Sequence, residues 1–473
     1  MSHSALFSTI ETALRHNPVA RLMLEECELL IGSESGVVLR AISAEARSFE
    51  PIMPVVSLPL SECLINEIVI SQASTALQAQ RSIEIYGTGF ATIALLRSLA
   101  EQSELRNCYP HGILYLDKTD PVEDLVQTIF EQFYRVALDE KPSKAELRSG
   151  LCDRQALILL DHSTLTPSEL NQLEQLLPNS TFAIASIERR FSQIDCAIEV
   201  SDPKGDLHIV SESENSALEL LATIGVSLKA EQIRAIANVS NSELNRLIDL
   251  KVIRVEQERY KLQRNYQSSE AWMEKALVYV LDWLRTRPDA IVQERELLII
   301  TVQWAAKQRR SSEVIEIVRS IETAFAIAKL WGTWSNLLRW SLAAAWAVED
   351  EAIEAWALHQ LGTLAFCQQE ITTGYDTLRD ALALRTDLND QTAIVFSQHN
   401  LAEIKALIVP VNSKNSLRTH QRHFYWIVGI ICAIAVSVSI GVSILNAQHQ
   451  SPRRNDRSSL SRIAFELVLS RFS

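Results

Sequence analysis

The chain has 473 residues, 47% of them hydrophobic and 22% charged, and a formal net charge of −13 at pH 7. That length accommodates about two to four domains, and that apolar content belongs to a globular rather than a disordered chain. The acidic balance excludes a general nucleic-acid binder, which needs Lys and Arg clustered against phosphates. The seven cysteines are odd in number and scattered, with no CxxC pair. A zinc site or redox pair is therefore not expected, and free thiols fit a reducing compartment. The opening "MSHSALFSTIETALRHN" carries acid and has no long apolar run, so no signal peptide is expected.

Residues 1–60 open on a helical pattern from Ala5 to Ile31, which "GSESGVVLRA" and "FEPIMPVVSLPL" then break. This stretch carries no recognisable function. Between 61 and 205 short apolar strands alternate with helices. "SIEIY" precedes a helix, "GILYL" precedes "PVEDLVQTIFEQFYRV", "ALILLD" precedes "TPSELNQLEQLL", and "TFAIAS" follows. The spacing predicts a mostly parallel sheet with crossover helices.

From 206 to 270 short helices precede "KVIRVEQERYKLQ", two β-prone runs around a polar turn, the pattern of a winged-helix module. Taken as 228–264, this region has eight Lys/Arg against five Asp/Glu, too mild an excess for a DNA face. Residues 271–407 are helical. Gly362, Gly374 and Ala381 are spaced to let two antiparallel helices approach closely, as in a tetratricopeptide unit. "HNLAEI" at 399–404 echoes "HQLGTL" at 359–364 after 40 positions, longer than the usual ~34. The six tryptophans between 304 and 356 are expected to pack between stacked helices.

The segment "IEIYGTGFATIALLRSLA", 83–100, reads as a strand, a glycine turn and an apolar helix, the outline of a phosphate-binding loop. The pattern GxxxxGK[ST] needs glycines for backbone approach to phosphate, a Lys for charge and a Ser or Thr for magnesium. Laid on 85–92, it keeps only Thr92. Ile85 replaces the first glycine, Phe90 the second and Ala91 the lysine. Gly87 and Gly89 preserve the turn, and a helix N-terminus retains some anion affinity. "ALILLDHS" ends a strand in Asp161, placed to deliver a carboxylate to magnesium beside the loop. After the next strand, Arg189 or Arg190 is expected near the sheet's C-terminal edge. No GxSxG elbow or HExxH offers a hydrolase alternative, so no catalytic residue and no metal site is assigned.

In this order, "IEIYGTGFATIALLRSLA", "HGILYLDKTDPVEDLVQTIFEQFYRV", "QALILLDH" and "TFAIASIERRF" resemble the signal-transduction (STAND) NTPases with an NB-ARC-type domain. The likeness continues through "RYKLQRNY", where these proteins place a nucleotide-sensing His. It extends into "WALHQLGT…LRDALALRTDLND…HNL", which is similar to the tetratricopeptide arrays of bacterial members. It covers about residues 61–407. The resemblance implies an ADP-bound closed form that opens on a signal, exchanges to ATP and oligomerises. This chain departs at Ala91 for the loop Lys, Phe90 for the loop glycine, His162 for the second acid and Gln263 for the sensing His. Those losses remove most of the electrostatic stabilisation that phosphoryl transfer needs.

Residues 408–423 read as a linker, and 424–445, "FYWIVGIICAIAVSVSIGVSIL", carry no charge over 22 positions. At ~1.5 Å per residue this spans the ~30 Å apolar layer of a bilayer, so a transmembrane helix is expected, with a buried core helix as the competing reading. Gly429, Ala433, Ser437 and Gly441 form a small-residue stripe suited to self-association. The tail 446–473 holds an amphipathic pattern from Leu460 to Phe472. Flanking basic residues balance across the span, so a cytosolic body is expected from its NTPase-like character.

The expected fold class is an α/β parallel-sheet NTPase-like domain (61–205), a winged-helix module (206–270) and an all-α tetratricopeptide-like solenoid (271–407), with one C-terminal transmembrane helix. Gly87, Gly89, Thr92, Asp161 and Arg189 form the vestigial nucleotide site; no cofactor is expected there, with ADP or ATP as the alternative. The expected function is a membrane-anchored signalling scaffold or adaptor that binds a protein partner through its repeats and does not hydrolyse ATP. One alternative is a working ADP/ATP switch with a displaced cation, Arg97 or an Arg at 189–190. The other is a membrane-tethered transcription regulator.

Overall fold

A computed structural model describes residues 20–24, 27–32, 36–41, 47–54, 67–87, 91–116, 120–161, 165–200, 210–263, 266–286 and 289–408. Its centre is a five-stranded parallel sheet built from β5 (Ile83–Tyr86), β6 (Ile113–Leu116), β8 (Leu157–Leu160), β9 (Thr181–Ser186) and β10 (Cys196–Glu199). The spatial order is β10-β5-β9-β8-β6, and β4 (Glu50–Pro51) pairs with β7 (Tyr134–Arg135) as a separate antiparallel ribbon. Parallel strands are covered by helices on both faces, which is why they read as unbroken apolar runs. The period of two sorts them into separate cores. Ile158, Leu160, Phe182 and Ile184 face helices Val122–Phe133 and Pro167–Leu176. Leu157, Leu159, Ala183 and Ala185 share the other core with helix Ala91–Glu101.

After the sheet, helices Glu212–Ile224, Ala230–Ala237 and Asn241–Asp249 surround a small antiparallel sheet. Its strands are β11 (Leu228–Lys229), β12 (Ile253–Glu256) and β13 (Arg259–Leu262), in the order β11-β13-β12. Two residues with positive φ, Gln257 and Glu258, turn β12 into β13. Such a two-residue turn matches the right-handed twist of its strands.

Among the described residues seven α-helices follow, the last five being Ser311–Ile327, Trp331–Val348, Glu351–Cys367, Ile371–Asp387 and Gln391–Ile408. Their starts fall every 20 residues, and left-handed residues Arg309, Lys329, Glu349, Gln369 and Asn389 sit in the turns at the same interval. The repeating unit is thus a 40-residue helical hairpin, the interval of the HQL/HNL echo. The small residues do what their spacing predicts. A Cβ on Gly362 would lie 2.9 Å from the backbone nitrogen of Leu378, and one on Gly374 would lie 2.9 Å from the Gly362 carbonyl.

Two expectations are corrected. The helical pattern from Ala5 gives way, from Ala20, to a three-stranded antiparallel sheet. It comprises β1 (Ala20–Met23), β2 (Cys27–Gly32) and β3 (Gly36–Ala41). Leu29 and Leu39, paired across β2 and β3, are fully buried against the helical array, and that tertiary packing overrides the local helical spacing. The fold class is also corrected: no helix among the described residues is long and apolar enough to cross a membrane. The apolar surface of the array helices is spent on their neighbours; in Trp331–Val348, twelve residues are buried. The described fold is a parallel-sheet domain followed by a small helix-and-hairpin module and a helical array. The segments 408–423, 424–445 and 446–473 lie outside the described residues, apart from Ile408.

Candidate functional site: the carboxyl edge of the parallel sheet

The ends of β5, β9 and β8 lie side by side, so Gly87, Ser186 and Asp161 define one edge of the sheet. Open α/β sheets bind ligands at this edge. Gly87 has φ +149°, and a Cβ there would sit 1.8 Å from the Val200 carbonyl oxygen. Only glycine fits, and what approaches it so closely is the chain beyond β10. The Gly87 N–H donates to the Ser186 carbonyl at 3.1 Å. Ala91 and Thr92, both buried, begin the following helix. Ala91 brings no charge to its N-terminus. Gly89, Phe90 and His162 lie outside the described residues.

Asp161 is buried at the end of β8, and its Oδ2 accepts from the Tyr115 hydroxyl at 2.6 Å. Tyr115 in turn accepts from Arg97 Nε at 3.2 Å. Burial, and then the Asp161 charge, push the Tyr115 phenol far above its ordinary range, so it stays a neutral donor. The Arg97 guanidinium grips Glu256 of β12 with Nη1 at 2.5 Å and Nη2 at 3.0 Å. Arg254, two residues earlier on the same face of β12, forms an ion pair with the same carboxylate, its Nε lying 3.3 Å from the Oε1 that Arg97 Nη1 also contacts. Burial depresses Arg254 to about 10, with the nearby Arg97 charge adding to it. Burial alone would raise Glu256; the Arg97 hydrogen bonds together with the Arg254, Arg97 and Lys261 charges outweigh it and hold the carboxyl below its usual value. The result is one chain of polar contacts from Asp161 through Tyr115 and Arg97 to Glu256 and Arg254, joining sheet and hairpin.

Arg189 stands exposed on the loop after β9. That loop is fixed by Glu84, fully buried within β5, whose carboxylate accepts from Ser186 Oγ at 2.9 Å, Arg190 N at 2.7 Å and Phe191 N at 3.2 Å. The structure thus places Gly87, Thr92, Asp161 and Arg189 along one edge, but the bonded cluster joins Asp161 to residues that sequence reasoning did not assign to the site. In the sequence Arg97 stands out only as a candidate displaced cation. Tyr115, Arg254, Glu256 and Glu84 were missed. An acid inside the apolar strand "IEIY" and the charges in "VIRVE" were the available signals. Gln263 contributes its backbone N–H to the Val252 carbonyl at 2.9 Å.

Other contacts close the chain on itself. Asp124, fully buried, accepts from the N–H groups of Gly332 (2.8 Å) and Thr333 (2.7 Å), so the sheet domain caps an array helix. Arg295 pairs with Asp120 at 2.8 Å. Lys229 and Arg259 of the small module both pair with Glu294, at 2.9 and 2.8 Å, and Arg246 pairs with Glu214 at 3.1 Å. Four basic residues of this module, Lys229, Arg246, Arg254 and Arg259, are thus paired with carboxylates of the chain itself.

No family model matches the chain, and no curated protein matches it. Among solved structures, a Signal Transduction ATPase with Numerous Domains (STAND) protein with a tetratricopeptide repeat sensor, from Pyrococcus horikoshii, aligns at 9% identity. That alignment covers 74% of this chain and 81% of the other, with a TM-score of 0.32. A structure of Drosophila ORC bound to AT-rich DNA and Cdc6 aligns at 11% identity over 45% of this chain and 91% of the other, with a TM-score of 0.21.

Proposed function

We propose that the chain is a signalling scaffold whose sheet domain does not hydrolyse ATP and whose helical array engages a protein partner. The observation that carries this reading is the bidentate pair between Arg97 and Glu256. Phosphoryl transfer needs preorganised positive charge at the phosphates and a carboxylate for magnesium. Here the loop position for lysine holds Ala91, Arg97 is spent on Glu256, and Asp161 accepts from Tyr115. The same groups that would have served a nucleotide tie the sheet to the hairpin instead. ADP or ATP remains the ligand class to test at Gly87, Thr92 and Asp161.

The test uses the purified full-length chain. Acid release followed by chromatography should yield no stoichiometric ADP or ATP, and phosphate release from ATP should stay at background. Turnover above background that disappears on Asp161→Ala would overturn the reading and restore a working switch.

A further inference from the structure

The three-stranded sheet near the N-terminus has β3 at its edge, with β2 as its sole strand neighbour among the described residues. An edge strand presents N–H and C=O groups that need partners, and in an antiparallel pair both groups of one residue point the same way. At Leu39 both point into the helical array. The Leu39 N–H donates to Asn400 Oδ1 at 3.0 Å, and the Leu39 carbonyl accepts from His399 Nε2 at 2.6 Å. A carbonyl only accepts, so this contact fixes the proton on His399 Nε2.

The two clamping side chains belong to a polar network within the array itself. Asn400 Nδ2 donates to Thr363 Oγ1 at 2.9 Å, and Thr363 donates to the His359 carbonyl at 2.8 Å. His359 Nδ1 contacts Ser397 Oγ at 3.1 Å, which also accepts from Arg385 at 2.7 Å. His359, Thr363, Ser397, His399 and Asn400 are all fully buried. Five buried polar side chains where helices Glu351–Cys367 and Gln391–Ile408 meet β3 are costly unless each is satisfied. An interface built only to hold the fold would do as well with apolar groups. Two of them, His399 and Asn400, bond the main chain of β3.

We propose that this face of the array, centred on His399 and Asn400, is a receptor for an extended, strand-forming segment of a partner protein, and that β3 is the chain's own occupant of it. A partner segment that supplies an N–H and a C=O at the Leu39 position takes the place of β3. Releasing β3 also frees the other end of the same sheet, which is tied to the sheet domain. There Met23 N–H donates to the Asp139 carbonyl at 2.6 Å, and the Lys141 N–H donates to the Met23 carbonyl at 3.0 Å. Occupancy of the array would thereby reach the sheet domain. This rests on the array being the partner surface; it does not depend on whether ATP is hydrolysed, so the two tests fail separately.

The probe is a fluorescent peptide of residues 34–43, "ESGVVLRAIS". In the full-length chain, Leu39→Pro deletes the clamped N–H and vacates the site while leaving His399 and Asn400 intact. That variant should bind the peptide at least tenfold more tightly than the wild type. Adding Asn400→Ala should abolish the gain, as should N-methylating the Leu39 amide of the peptide. Equal binding of the N-methyl peptide, or none to a Leu39→Pro chain of unchanged helix content, would overturn the proposal. A second measurement needs no variant. The Cys27 thiol of β2 lies next to the Cys367 thiol of the array. Diamide joins such thiols as a disulfide and is itself reduced to the hydrazine. Excess native peptide should slow this cross-link at least fivefold in the wild type, and the N-methyl peptide should not; equal rates with both peptides would count against displacement.

Discussion

The Arg97 guanidinium and the Glu256 carboxylate, 159 positions apart in sequence, meet through two hydrogen bonds where the parallel sheet touches the β12–β13 hairpin. Arg97 is almost fully buried and Glu256 about one-quarter exposed, so the pair is shielded from solvent on one side. It is a joint between two units, and its geometry is bidentate, the strongest form such a pair takes.

Breaking this joint from one side should be worse than removing it. Arg97→Met leaves Glu256 facing only Arg254, and Glu256→Leu leaves two buried guanidinium groups side by side. Each single change should destabilise by about 3 kcal/mol. The double change should cost less than the sum of the two. Urea midpoints of the four chains in a double-mutant cycle check this; strict additivity would mean that the two residues do not act as a pair.

The Gly362–Gly374 contact sets how closely two array helices pack. A leucine at 362 would drive its side chain into the Leu378 backbone and the Gly374 carbonyl. Gly362→Leu should cost about 1–3 kcal/mol and lower the melting temperature of the full chain. An unchanged melting curve would show that the helices separate without penalty.

Lys141 gives a pH signature. It is buried beside Trp331 and donates from Nζ to the Lys329 carbonyl at 2.8 Å. Burial lowers it from 10.5 to about 8, against the opposing pull of Asp124. Between those values the unfolded chain holds a proton that the folded chain has released, so stability rises with pH across that window. Below about pH 8 both states are protonated and the contribution is flat. From pH 8 to 9.5 the wild type should gain about 2 kcal/mol relative to Lys141→Met. Parallel urea titrations of the two chains at both pH values measure the difference; a constant gap would show that Lys141 keeps its ordinary affinity for protons.

Much of this protein follows from the sequence alone. The runs "ALILL" and "TFAIAS" have no polar face, so they had to be strands covered on both sides, and the glycines at 362 and 374 had to mark a close helix approach. That position 91 carries no charge is a matter of identity at Ala91 and needs no coordinates. Even the 40-residue echo of HQL and HNL was legible, because a repeated unit repeats its buried positions. Local spacing reaches only near neighbours, however. In the stretch Ala20–Ile31 it reads as helix, and only the array packed against Leu29 and Leu39 makes those residues strands. The partners of polar groups lie further away still: Arg97 meets Glu256, and His399 meets Leu39 across 360 positions. A buried charge or imidazole records in sequence that it must be satisfied, but not by what. That choice belongs to the packing, which brings distant segments within the ~3 Å over which a hydrogen bond acts.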